Sequence, residues 1–108
     1  MKLSVTFRHL ETDRAVKQYI QEKVKKLEKY MMNPKEGHVV LSVEKFLHSA
    51  EMTMVGDGMT YISEGKDRDL YTAIDQMVEK MDRQIREKRE KGKRKNLSQR
   101  RKKAKPVE

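Results

Sequence analysis

The sequence predicts an α+β fold: a four-stranded mixed sheet with two helices packed on one face, in the order β-α-β-β-β-α. Three observations carry that prediction. Apolar residues alternate strictly just after Met1, two later stretches repeat them at three and four residues, and β-rich runs punctuated by turn residues lie between those stretches. Two one-sided helices need an apolar surface to cover, and one face of a sheet supplies it.

From Lys2 to Arg8, Leu3, Val5 and Phe7 fall on one side and Ser4, Thr6 and Arg8 on the other, the period-two pattern of a half-buried strand. Thr12 or Asp13 can cap the helix that follows, because a short side-chain oxygen accepts from the unpaired amides of a first turn. Val16, Ile20, Val24, Leu27 and Met31 then form one apolar stripe, ended by Asn33-Pro34 and Gly37. Val39 to Phe46 reads as a second strand, and a turn near His48-Ser49 leads to a third at Glu51 to Val55. Gly56-Asp57-Gly58 is a hairpin signal before the returning strand, Met59 to Ser63. Asp67 or Asp69 caps a second helix whose stripe is Leu70, Ile74, Met77, Val78, Met81 and Ile85. No apolar residue continues that stripe, so the helix should project past the body and fray near Gly92. A right-handed crossover makes the first two strands parallel, hairpins add the others antiparallel, and the second sheet face should be largely polar.

With 108 residues the chain has room for one small domain and a modest core. It contains no cysteine, which excludes disulfides, thiolate metal sites and cysteine nucleophiles. Nothing after Met1 resembles a signal peptide, and no stretch approaches the roughly 20 apolar residues of a membrane span, so a cytoplasmic protein without a membrane partner is expected. Charge is unevenly placed. From Met1 to Ile85 there are 14 basic and 14 acidic residues; from Arg86 to Glu108 there are 12 basic and 3 acidic, which supply the whole net charge of +9. The expected organisation is a folded domain over 1–92 and a basic, disordered tail over 93–108. Such a tail is either a solvated end or a grip on a polyanion, since neutralised phosphates release counterions; the tight clusters Lys93-Arg94-Lys95 and Arg100-Arg101-Lys102-Lys103 favour the grip.

The neutral body also sorts its charges. At 100° per residue, one flank of the second helix carries Lys80, Arg83, Lys91 and Arg94, with Gln76 and Glu87 among them, while the other carries Asp75, Glu79 and Asp82. On the first helix one flank and the outer face carry Lys25, Lys26 and Lys29, with Glu22 as the exception and Lys23 beside the stripe; the other flank holds Lys17, Gln21 and Glu28. Surface helices often scatter Lys and Glu for small pair energies, but scatter does not sort signs onto flanks twice. If the helices lie side by side, the basic flanks are expected to join into one cationic groove continuous with the tail. Lysine and arginine neutralise phosphates without reading sequence, and with two Phe and four Tyr the chain has few stacking platforms, so a structured RNA recognised by shape is the expected ligand. Tyr19 and Tyr71 flank the stripes and are expected in the core.

Catalysis finds little support. His9, His38 and His48 are scattered over strand and turn positions without ligand spacing, and no carboxylate pair forms an acid–base motif. Gly56-Asp57-Gly58 lacks the strand–loop–helix setting of a phosphate loop. Met77 and Met81 fall on the stripe as core residues rather than forming a promiscuous groove. Neither an enzyme, a cofactor, a metal nor a small-molecule substrate is expected.

Several segments together resemble one family. Asp69-Leu70-Tyr71-Thr72-Ala73-Ile74-Asp75, continuing through Lys80 to Arg83-Gln84, is similar to the second-helix signature of the ribosome hibernation promoting factors and ribosome-associated inhibitors. Lys26-Leu27-Glu28-Lys29-Tyr30, Val43-Glu44-Lys45 and Glu64-Gly65 are similar to other parts of the same pattern, and the likeness runs from about Met1 to Gly92 in the same element order. The resemblance implies a domain shaped like double-stranded-RNA-binding domains. It also implies docking on the small ribosomal subunit between head and body, where mRNA and tRNA are displaced and translation stops under starvation or in stationary phase. By the same resemblance Lys26, Lys80 and Arg83 are RNA contacts; charge geometry adds Lys23, Lys25, Lys29, Arg86 and Lys91. Long members carry a C-terminal dimerisation domain that this chain does not show, so a monomer is expected away from the ribosome. The basic tail matches neither short type, which leaves open whether ribosomes would be held as dimers or idle singly. Two rival readings remain, a protein-binding modulator as in the family's sigma-54 label, and a general binder of duplex RNA.

Overall fold

The computed structural model describes the backbone of residues 1–98 and the side chains of residues 1–88. In chain order it contains β1 (Lys2–Arg8), α1 (Arg14–Glu28), β2 (Pro34–Glu44), β3 (Leu47–Gly56), β4 (Met59–Asp67) and α2 (Leu70–Ser98). The four strands form one sheet in the order β1-β2-β3-β4, with β1 parallel to β2 and the remaining pairs antiparallel. Element order, mixed sheet and the two-helix layer are those the hydrophobic pattern predicts.

Both helices bury the stripes that predict them. Val16, Ile20, Val24 and Leu27 of α1, Met31 just beyond it, and Ile74, Met77, Met81 and Ile85 of α2 are buried against Val39, Leu41, Ala50, Met52, Met54 and Tyr61 of the sheet. Each such side chain contributes about 2 kcal/mol. A cap is worth about 1 kcal/mol, so packing holds each helix and the cap only sets where it starts. Asp13 caps α1 by accepting from the amides of Ala15 and Val16 at 2.9 and 3.3 Å. Asp69 caps α2, accepting from both the amide and the hydroxyl of Thr72, and these bonds hold its carboxyl below the usual carboxylate range.

Several boundaries differ from the sequence expectation: β2 starts at Pro34 rather than Val39, β3 at Leu47 rather than Glu51, and β4 runs to Asp67 rather than Ser63. Gly37 does not end α1; it lies inside β2, buried and in register with Leu3. The turn between β2 and β3 is at Lys45-Phe46 rather than His48-Ser49, since Glu44 pairs with Leu47 and His48 with Val43. The second helix does not fray at Gly92 but runs to Ser98: one glycine costs about 1 kcal/mol, and its Lys, Arg and Glu neighbours are good helix formers. Ile85 is the last buried residue of α2 among those described, so about 20 Å of rod continues beyond the core at 1.5 Å per residue.

Both hairpins turn on two residues, and both turns have positive φ at both positions, the combination that matches the twist of the flanking strands. Asp57 (φ 53°) and Gly58 (φ 73°) join β3 to β4, and Lys45 (φ 50°) and Phe46 (φ 68°) join β2 to β3. Asp57 is doubly used, its carboxylate accepting from the amides of Met32 and Asn33 and so tying this turn to the α1–β2 connection. Among the described residues Lys45 and Phe46 have no comparable compensation, although a left-handed backbone costs a residue with a β carbon about 1 kcal/mol.

Candidate nucleic-acid interface

Charge sorting on the helices decides what can bind. Lys29 lies opposite the buried Ile20 and Leu27 of α1, and Arg83 lies opposite the buried Ile74 and Met81 of α2; Lys25 and Arg86 stand beside them. All four are exposed on the solvent face of the helix layer, with Glu22, Glu79 and Glu87 as acidic residues on it. Among the described residues, Lys25, Lys26, Lys29 and Arg83 enter no ion pair. That face is the candidate interface.

The groove between the helices is not the single cationic channel that the sequence suggests. It has a volume of about 350 Å³, with Lys23 and Lys26 of α1 and Tyr30 just beyond it on one wall and Asp75, Glu79 and Asp82 of α2 on the other. The flank of α2 that faces α1 is therefore its acidic one. Periodicity fixes how charges sort around each helix, while the crossover decides which flank meets the neighbour. Among the described residues no ion pair joins the two walls, and their charges find partners mostly on their own helix. The Arg86 guanidinium lies 3.1 Å from Asp82 and 5.4 Å from the Tyr30 ring centroid, and the Lys23 ammonium lies 5.2 Å from the Tyr19 ring centroid.

Tyr19 and Tyr71 join the helices but are not core residues as expected: Tyr19 is half-buried and Tyr71 exposed. Their rings meet edge to face at 4.9 Å, and the Tyr19 hydroxyl donates to Asp75 at 2.5 Å. That hydrogen bond, then burial and the charge of Asp75, push the Tyr19 phenol up to about 12. The folded protein keeps this proton where the unfolded chain releases it near 10. The associated stability is complete below pH 10 and is lost as pH rises from 10 to 12. Unfolding titrations should show that alkaline loss in the parent and a shallower one in Tyr19→Phe; identical pH profiles would remove the bond from the account.

Lys80 points the other way, to the free edge of β4. Its Nζ donates to the Glu64 carbonyl at 2.9 Å, Gln84 donates to the Ile62 carbonyl at 2.7 Å, and Gln76 accepts from the Lys66 amide at 3.0 Å. Four residues of helix rise about 6 Å and two residues of strand about 6.7 Å, so side chains at 76, 80 and 84 meet successive outward groups of the edge. The row satisfies backbone groups that an open edge would offer to another chain. Lys80→Met is expected to lower the urea midpoint of unfolding, with Lys80→Arg, which keeps a donor, closer to the parent; equal midpoints for all three would mean the edge needs no such cover.

The expected RNA contacts are thus divided by the fold. Lys25, Lys29, Arg83 and Arg86 share the outer face, Lys26 sits at its groove margin, Lys23 is half-buried in the groove, and Lys80 is on the β4 flank. The side chain of Lys91 lies outside the described residues, as does everything in 99–108. Sequence reasoning names Tyr30, Gln76 and Gln84 but gives them no role, because they carry no charge and so no signal in a charge pattern. The described histidines have separate surroundings: His38 bonds Ser4, His48 donates to the Arg68 carbonyl, and His9 follows β1.

A profile of the sigma 54 modulation protein / S30EA ribosomal protein family matches residues 3–93, the body and the start of the projecting rod. The chain belongs to this family. It is 32% identical over 85 residues to the ribosome hibernation promoting factor of Escherichia coli strain K12, which covers 79% of this chain and 90% of that protein. The ribosome hibernation promoting factor of Pseudomonas putida is 28% identical over 91 residues, 84% of this chain and 89% of its own. Among solved structures, the N-terminal domain of Thermus thermophilus Protein Y matches with a TM-score of 0.74 at 30% identity, over 79% of this chain and 96% of that one. A ribosomal subunit interface protein from Coxiella burnetii matches with 0.73 at 14% identity, over 82% and 98%, a likeness of fold alone. The segments that resemble the hibernation factors have visible structural tasks. Asp69 caps α2, Tyr71 meets Tyr19, Gln84 covers the β4 edge, and Gly65 lets α2 close on the sheet.

Proposed function

We propose that this chain is a non-enzymatic translation inhibitor that binds the small ribosomal subunit through its rRNA and occludes the mRNA and tRNA decoding channel, the state called ribosome hibernation. The observation that carries this reading is the family match over residues 3–93, together with similar proteins named ribosome hibernation promoting factors. The physical support is the helix face bearing Lys25, Lys29, Arg83 and Arg86, which suits a phosphate backbone better than base edges. Lys23, Lys26, Lys80 and Lys91 complete the proposed contact set, the groove lysines with part of their field offset by Asp75, Glu79 and Asp82. Residues 1–92 act as the ribosome-binding domain in the cytoplasm, as a monomer before binding, and the basic stretch 93–108 adds charge to the same hold.

Sucrose-gradient profiles of ribosomes with and without the purified protein test this directly. The protein should travel with the small subunit, and its share should fall steeply as salt rises, because each neutralised phosphate releases counterions. A protein that stays at the top of the gradient at low salt would overturn the reading. A second reading follows from the sigma-54 half of the family description, a modulator that binds a transcription factor; it predicts a protein complex that survives nuclease treatment.

A further inference from the structure

Two turns of this chain adopt the same backbone with opposite residue choices. The β3–β4 turn uses Asp57-Gly58, the kind of pair that tolerates positive φ, while the β2–β3 turn places Lys45 and Phe46 in the same conformation. Phe46 is 84% exposed and belongs to neither the core nor the residues packed on it. Single exposed apolar residues are ordinary, but an aromatic ring held in a left-handed turn that a glycine would ease is not explained by folding. The ring stabilises nothing within the described residues, and the turn works against its presence.

We propose that the Lys45-Phe46 tip is a second RNA contact, in which the Phe46 ring stacks on an unpaired base of ribosomal RNA while Lys45 meets the adjoining phosphate. This rests on the ribosomal reading above and adds a site on the sheet end of the molecule, away from the helix face. A tight two-residue turn presents the ring at the end of two paired strands, so little ordering entropy is lost on contact. RNA is favoured over a protein pocket because the apolar area is one ring and a half-exposed Leu47, set among Glu44, Lys45, Ser42 and Ser49. A stacked base needs only a ring and a nearby cation.

The test measures binding to purified ribosomes across a salt series, with melting temperature followed in parallel, for Phe46→Gly, Phe46→Leu and Phe46→Trp. Phe46→Gly should melt at or above the parent temperature yet bind about 5- to 100-fold more weakly, with the salt dependence unchanged because no phosphate contact is lost. Phe46→Trp should bind like the parent, and Phe46→Leu should resemble the glycine variant. Parent-like binding by Phe46→Gly overturns the proposal, and parent-like binding by Phe46→Leu overturns it in favour of an apolar seat on a ribosomal protein. If the parent itself does not bind ribosomes, the ribosomal reading fails first, a result distinct from either.

Discussion

Gly65→Ala is expected to lower the melting temperature by about 15 °C, a loss of about 3 kcal/mol. Gly65 is buried in β4 where α2 crosses it, and a β carbon there would collide with the Ala73 carbonyl oxygen and lie 2.8 Å from the Gln76 Cβ and 2.9 Å from the Met77 nitrogen. Two of those three atoms are helix backbone, so the strain cannot be relieved by rotating a side chain. Relief requires lifting α2 from the sheet, which opens the packing of Ile74, Met77 and Met81 and pulls the Met77 carbonyl from the buried Ser63 hydroxyl that donates to it at 2.8 Å. Gly37→Ala is the matched control in the same sheet. Its β carbon would meet only the ends of the Met1 and Leu3 side chains, at 3.3 and 3.4 Å, and a shift of no more than a few degrees is expected. Calorimetry of the two variants side by side checks the argument; equal small shifts would mean that α2 can ride higher on the sheet than its contacts indicate.

The same glycine shows where sequence reading stops. Glu64-Gly65 is visible as part of a family likeness, but its cause is a helix crossing that only coordinates reveal. The polar run Ser63-Glu64-Gly65-Lys66-Asp67 gives no strand signal, yet β4 continues through it, because small residues at 63 and 65 let α2 approach and the Ser63 hydroxyl is satisfied by that approach. The Lys45-Phe46 turn was illegible for a related reason: positional preference points to Asn, Asp or Gly, and the chain uses neither of the expected types there. By contrast, β1, both helix stripes and the Asp57-Gly58 turn follow from one-dimensional periodicity and turn chemistry, and they fix the fold. Charge sorting was legible on each helix separately. Which flank turns toward the neighbouring helix was not, and for that reason the expected cationic groove proved to have one acidic wall.

That acidic wall sharpens the test of the interface. Lys25, Lys29 and Arg83 replaced together by Glu should weaken ribosome binding at least about 100-fold near 100 mM salt and flatten the slope of log affinity against log salt by about 2 to 3. Each of the three is exposed on the helix face and enters no ion pair among the described residues, so reversal removes a phosphate contact without breaking a structural one. Arg86 is left out because it also holds Asp82 and covers Tyr30. The comparison is Lys2, Arg8 and Lys35 replaced by Glu, three exposed cations of the sheet that enter no ion pair among the described residues and whose reversal changes the net charge by the same amount. If the helix face is the contact surface, this second triple should lose about tenfold or less, through the long-range field alone, and keep most of the slope. Equal losses and equal slopes from the two triples would assign binding to net charge, with no face of the domain preferred.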